Sequence, residues 1–135
     1  MGKRSTSRRL AMQAVYQAEV SGTSIDDAIN NLLEAEKFIP ETRDFSGDLA
    51  KAAWKDREKS DKIIEGLSVD WPLDRLGKVD HSILRLALYE LNSGETPSSV
   101  VINEAVELAK KYSSEEAGKF INGILGSYLR SGRQA

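Results

Sequence analysis

Residues 79–91 read Val-Asp-His-Ser-Ile-Leu-Arg-Leu-Ala-Leu-Tyr-Glu-Leu. Plotted at about 100° per residue, the Val, Ile, Leu and Ala side chains of this stretch cover an arc of roughly 200°, twice the width of an ordinary surface stripe. Only His81, Ser82, Arg85 and Tyr89 mark a continuous wet side. A helix that is apolar over so much of its circumference must be covered by several neighbours at once. The stretch therefore predicts a central post with the other helices packed round it.

The chain has 135 residues, enough for one domain with a real hydrophobic core and no covalent staples. It contains no cysteine, which excludes a disulfide framework, thiolate metal sites and thiol catalysis. No apolar run approaches the ~18 residues of a membrane span, and the first residues lack the apolar stretch of a signal peptide. A cytoplasmic protein is expected. The formal charge of −2 hides an asymmetry: Lys3, Arg4, Arg8 and Arg9 stand in the first ten residues without an acid, whereas residues 11–100 hold 10 cations and 17 acids. A basic arm on an acidic body points to local contact with a polyanion.

Helical periodicity accounts for most of the chain. Ser5 or Ser7 can cap a first helix running to about residue 20, with Leu10, Ala11, Ala14, Val15 and Ala18 on one face and Met12 at its edge. The opposite stripe, Arg9, Gln13, Tyr16 and Gln17, offers guanidinium, amides and a phenol, the groups that contact phosphates, base edges and base faces. Ser24 caps a second helix carrying Asp26 and Asp27 in its first turn. Residues 37–43, with Pro40, are expected to be a loop, and a single third helix is expected over 44–67, its apolar side interrupted by Asp56 and Ser60. Trp54 lies opposite that side, among charges. Trp71-Pro72 stops the run, Pro72 can open a short turn, and Gly77 precedes the post. Residues 92–97 form a turn, Ser98 or Ser99 caps the next helix, and Ser113 or Ser114 caps the last. Seven helical segments without a convincing strand predict an all-α bundle.

Nothing in the chain carries a catalytic signature. The single histidine, His81, has no nucleophile at useful spacing, no glycine-rich phosphate loop follows a strand, and metal-ligand clusters are absent, so neither catalytic residues nor a metal or cofactor is expected. The last helix holds Gly118, Asn122 and Gly126 on one stripe, with Gly123 nearby. An interior glycine costs about 1 kcal/mol relative to alanine, which calls for compensation by close helix packing or by a ligand approaching the backbone. Lys119 beside Gly118 favours a partner there, whereas Gly123, nearer the middle of the helix, is assigned to packing.

The post resembles the central helix of the NusB family of bacterial transcription antitermination factors. So do Pro97 with the following Val101-Ile102-Asn103-Glu104-Ala105-Val106-Glu107-Leu108-Ala109-Lys110, and the closing Lys119-Phe120-Ile121-Asn122-Gly123-Ile124-Leu125. Arg8-Arg9-Leu10-Ala11-Met12-Gln13-Ala14-Val15-Tyr16-Gln17 is similar to the family's basic first helix. The resemblance implies two packed three-helix bundles forming one RNA-binding domain over residues 1–135. It also implies a partnership with the ribosomal-type protein NusE on boxA RNA, within the RNA polymerase antitermination complex that includes NusA and NusG. The family's arginine-rich segment carries over to Lys3, Arg4, Arg8 and Arg9, with Ser5 and Thr6 standing where further arginines are common. Tyr16, Lys119 and Phe120 match positions on or near the RNA-binding surface, and Asp80 matches an acidic position at the NusE contact. Two other readings fit the same residues: a NusB-like domain cut from an RNA cytosine methyltransferase, and a helical adaptor that binds protein alone.

Overall fold

The post is α5 (Lys78–Ser93), and five other helices touch it. In the computed structural model, which describes residues 3–67 and 73–131, it is preceded by α1 (Lys3–Ser21), α2 (Ile25–Glu34), α3 (Pro40–Lys55), α4 (Arg57–Leu67) and a 3-10 turn at Leu73–Arg75. It is followed by α6 (Ser98–Tyr112) and α7 (Glu115–Arg130). No strand occurs among the described residues. Helices α1, α2 and α3 pack on one another as a first bundle, and α5, α6 and α7 as a second, with α4 lying on α5 and α7. The bundles meet chiefly where α1 and α3 lie against α5. Leu84 and Leu88 are fully enclosed at the centre, and Leu10, Val15, Ile29, Ile64, Val101, Ile121 and Leu125 close round them in one core.

The wet side expected on α5 is not wet. His81, Ser82 and Arg85 are buried, as is Glu90, and Tyr89 is half-buried. The reason is that neighbouring helices bring counter-charges to them. Arg85 donates through Nε and Nη2 to Asp61 of α4 at 3.0 and 2.8 Å, and through Nη1 to Glu19 of α1 at 2.8 Å. His81 Nε2 sits 2.6 Å from the same Asp61 carboxylate. Trp54 of α3 lies beside this cluster, its ring under the Arg57 guanidinium at 4.0 Å and the Arg85 guanidinium at 5.5 Å. The tryptophan among charges is thus a stacking platform for two of them.

Local chemistry explains most element ends. Ser24 and Ser114 accept from the backbone N–H of Asp27 and Ala117, as N-caps should. Gly94 closes α5 at φ 72°, a conformation that favours glycine. Four expectations fail. Neither Ser98 nor Ser99 caps α6, which already includes both and starts directly after Pro97. Pro40 opens α3 instead of lying in a loop, since proline at the first helical position forfeits no hydrogen bond. The single helix over 44–67 is two, parted at Asp56, one of the residues that interrupts its apolar side. Neither Ser5 nor Ser7 caps α1, which already includes both; Ser5 Oγ donates to Glu104 and Ser7 Oγ to the Thr42 carbonyl. The expected stop at Trp71-Pro72 falls outside the described residues.

The cluster round Arg85 ties stability to pH. Burial alone would raise the Asp61 pKa, but hydrogen bonds and charge from His81 and Arg85 outweigh it and bring the value down to about 2. Hydrogen bonding to Arg85 likewise lowers that of Glu19. A carboxylate whose folded-state pKa is depressed contributes stability that is complete above its unfolded value and lost as pH falls through the folded one. Denaturant melts should therefore lose about 2 kcal/mol through Asp61 between roughly pH 4 and pH 2. Asp61→Asn should flatten that part of the profile; an equally steep acid limb in the variant would place the loss elsewhere.

Candidate nucleic-acid interface

The basic arm divides into residues with different surroundings. Lys3 lies within α1, but its side chain is outside the described residues. Arg4 is exposed, with its guanidinium 4.0 Å over the Phe45 ring of α3. Arg9 is half-buried and donates to Gln13 Oε1 one turn along at 3.2 Å. Tyr16 lies two turns beyond Arg9 on the same half-exposed stripe of α1, about 10 Å away at 1.5 Å per residue.

Arg8 is the exception, and its expected place in a free arm is corrected. It is 5% exposed. Its Nε and Nη2 donate to the two oxygens of Glu90 on α5, both at 2.8 Å, and its Nη1 to Glu104 on α6 at 3.1 Å. Burial works against its charge, but the two carboxylates outweigh that and hold its pKa above the ordinary value. The acids missing from the arm in sequence arrive through the fold. Arg8 therefore fastens α1 to α5 and α6, and its three donating nitrogens are committed inside the protein.

Between the start of α1 and the second half of α6 lies a cleft of ≈ 320 Å³. Its walls carry Arg8 and Arg9 from α1 and Glu104, Lys110, Lys111 and Tyr112 from α6. Tyr112 is half-buried against the core, while Lys110 and Lys111 are exposed. The signal that could have found this site is the Lys110-Lys111-Tyr112 run itself, in which adjacent positions lie about 100° apart and so reach both lips and wall of a groove.

Lys119 and Phe120 do not line this cleft; Lys119 is exposed near the start of α7, and Phe120 is half-buried against the core. Asp80 sits in the first turn of α5, half-buried, with Oδ1 lacking a hydrogen-bond partner among the described residues. The two glycine assignments are reversed. Gly118 is buried against α6, where an added Cβ would meet the Lys110 stem at 3.1 Å and Val106 at 3.6 Å. Gly123 is exposed, with nothing within 4 Å of such an atom. The missing side chain at Gly118 lets the Lys110 stem lie flat across α7. No helix is long and apolar enough to cross a membrane, and no group of three or more metal-ligating side chains occurs among the described residues.

Residues 5–130 match the NusB family. The transcription antitermination protein NusB of Acetivibrio thermocellus is 47% identical over 131 residues, covering 96% of this chain and 90% of that protein. A crystal structure of the antitermination factors NusB and NusE in complex with double-stranded RNA superposes with a TM-score of 0.89. It is 28% identical and covers 97% of this chain and 98% of that one. NusB of T. maritima superposes with a TM-score of 0.87 at 29% identity, covering 96% and 92%.

The two adjacent arginines should behave differently when replaced. Arg8→Ala strands the buried Glu90 carboxylate and takes one of two donors from the part-buried Glu104, and should cost about 3–5 kcal/mol, the usual penalty for breaking a buried ion pair. Arg9→Ala should leave the melt nearly unchanged and make the salt dependence of single-stranded RNA binding shallower by roughly one unit. Equal stability of the two variants in urea would refute the division. For the glycines, thermal melts run in parallel should show Gly123→Ala stabilising by up to ~1 kcal/mol. Gly118→Ala should gain less, because its methyl must displace the Lys110 stem.

Proposed function

This chain belongs to the NusB family, and on that footing we propose that it is a transcription antitermination factor acting by binding and not by catalysis. It pairs with NusE, engages the boxA element of nascent transcripts, chiefly those of ribosomal RNA operons, and lets RNA polymerase read through terminators together with NusA and NusG. Its place of work is the cytoplasm.

The observation that carries the RNA assignment is the cation-lined cleft at the start of α1, where Arg9, Lys110 and Lys111 converge beside an aromatic ring. Phosphate contacts by such cations supply affinity, and unstacked bases on aromatic rings supply recognition of single strands. Lys3, Arg4, Arg9 and Tyr16 on α1, with Lys119 and Phe120 on α7, form the wider RNA-facing surface in this reading. Arg8 acts behind it, as a fastening. Asp80, half-buried in the first turn of α5, is assigned to the NusE contact.

Fluorescence anisotropy with labelled boxA RNA and a scrambled control, with and without NusE, tests the proposal. Preference for boxA that tightens when NusE is added is expected. Indifference between the two RNAs in the presence of NusE would defeat it.

A further inference from the structure

Cations alone would make the cleft between α1 and α6 a phosphate site, but its walls also carry carboxylates. Glu104 is the informative one. Its Oε1 accepts from both Ser5 Oγ at 2.6 Å and Arg8 Nη1 at 3.1 Å, which fixes the group in place, while Oε2 has no partner among the described residues. The Glu104 side chain keeps 23% of its surface open to solvent. Glu107 stands one turn further along the same wall, 3.7 Å from the Lys110 ammonium. A compact dianion entering here would meet these two acids as well as the cations. A nucleotide separates the two demands, because its phosphates carry the negative charge and its base presents neutral donors.

Resting on the RNA-binding role above, we propose that this cleft is a base-reading pocket for one unstacked nucleotide of single-stranded RNA, selective for a base bearing an exocyclic amino group. Tyr112 supplies the stacking surface. The ring is half-buried against the core, which limits its freedom, and the Lys111 ammonium lies 5.5 Å from its centre. Glu104 Oε2 accepts from the amino group, the pairing expected of a carboxylate with an amino-bearing base edge. Arg9, Lys110 and Lys111 take the phosphates on either side. A volume of ≈ 320 Å³ lies at the lower end of small-ligand sites and is ample for a nucleobase. Glu104 thus serves twice: one oxygen holds the fold through Arg8 and Ser5, and the other discriminates among bases.

The test uses the full chain with NusE and fluorescein-labelled boxA RNA, in two arms. In the first, Tyr112→Leu should weaken binding roughly tenfold, the loss typical of one base–aromatic stack, while Tyr112→Phe stays within about twofold of wild type and all three proteins show the same circular dichroism. In the second, on the wild-type protein, each cytidine, adenosine and guanosine of boxA is replaced in turn by its deamino analogue. One position should weaken binding several-fold, and Tyr112→Leu should abolish that sensitivity. Wild-type binding by Tyr112→Leu overturns the pocket and leaves the RNA-binding role standing. Uniform tolerance of every deamino base overturns base reading even if Tyr112→Leu misfolds. Failure of the wild-type protein to prefer boxA at all is a different result, and it removes the underlying function.

Discussion

A helix buried on all sides has nowhere to leave a charge, and α5 carries two in its interior-facing half. Arg85 and Glu90 are accommodated there because other helices supply partners: Asp61 and Glu19 for the first, Arg8 for the second. Removing either partner would leave a lone buried charge at a cost of several kcal/mol. The pairs therefore constrain geometry more than they add stability. Both connect α5 to α1, near the two ends of α1, Arg8 early and Glu19 late. On α5 the order is opposite, Glu90 late and Arg85 earlier, so the two contacts set the sense in which α1 crosses α5 and fix its register. Apolar packing alone would tolerate a sliding of one helix past the other more readily than two such pairs do.

That register also positions the face assigned to RNA. With Arg8 drawn inward to Glu90 and Glu104, the next residue of α1, about 100° further round, emerges beside α6. Arg9 then shares a cleft with Lys110, Lys111 and Tyr112. Two neighbouring arginines of the same arm thus divide the work between holding the scaffold and facing outward. Gly118 contributes from behind: the space it leaves for the Lys110 stem helps set where that ammonium stands. The surface chemistry of the cleft depends on interior contacts a few ångströms below it.

The post and the all-α class were legible in the sequence because helical apolar periodicity is a local signal, and residues 79–91 carry it over an unusually wide arc. Ser24 and Ser114 were legible for the same reason, as cap chemistry acts within one turn. What escaped was non-local. Arg8 lies 82 positions from Glu90 and 96 from Glu104, so nothing near it in the chain marks it as paired. His81 and Arg85 read as solvent-facing because Asp61 and Glu19 reach them only through tertiary structure. The glycine stripe failed through geometry: position along a helix says nothing of which side meets a neighbour, and it is Gly118, not the more central Gly123, that α6 covers. The break at Asp56 was half visible, since the interruption of the apolar face was there, but not what it would do.

The long reach of the Arg8 pairs bears on the order in which the molecule is made. Synthesis proceeds from the first bundle to the second, and α1, α2 and α3 can associate as soon as they emerge. At that stage neither Glu90 nor Glu104 exists, and the face of α1 and α3 destined for α5 is bare. The nascent first bundle therefore carries an unneutralised arginine beside an open apolar surface, and it can close only when the post arrives. During that interval Arg8 has no carboxylate partner from α5 or α6. The finished protein has one guanidinium fewer to offer than the growing chain.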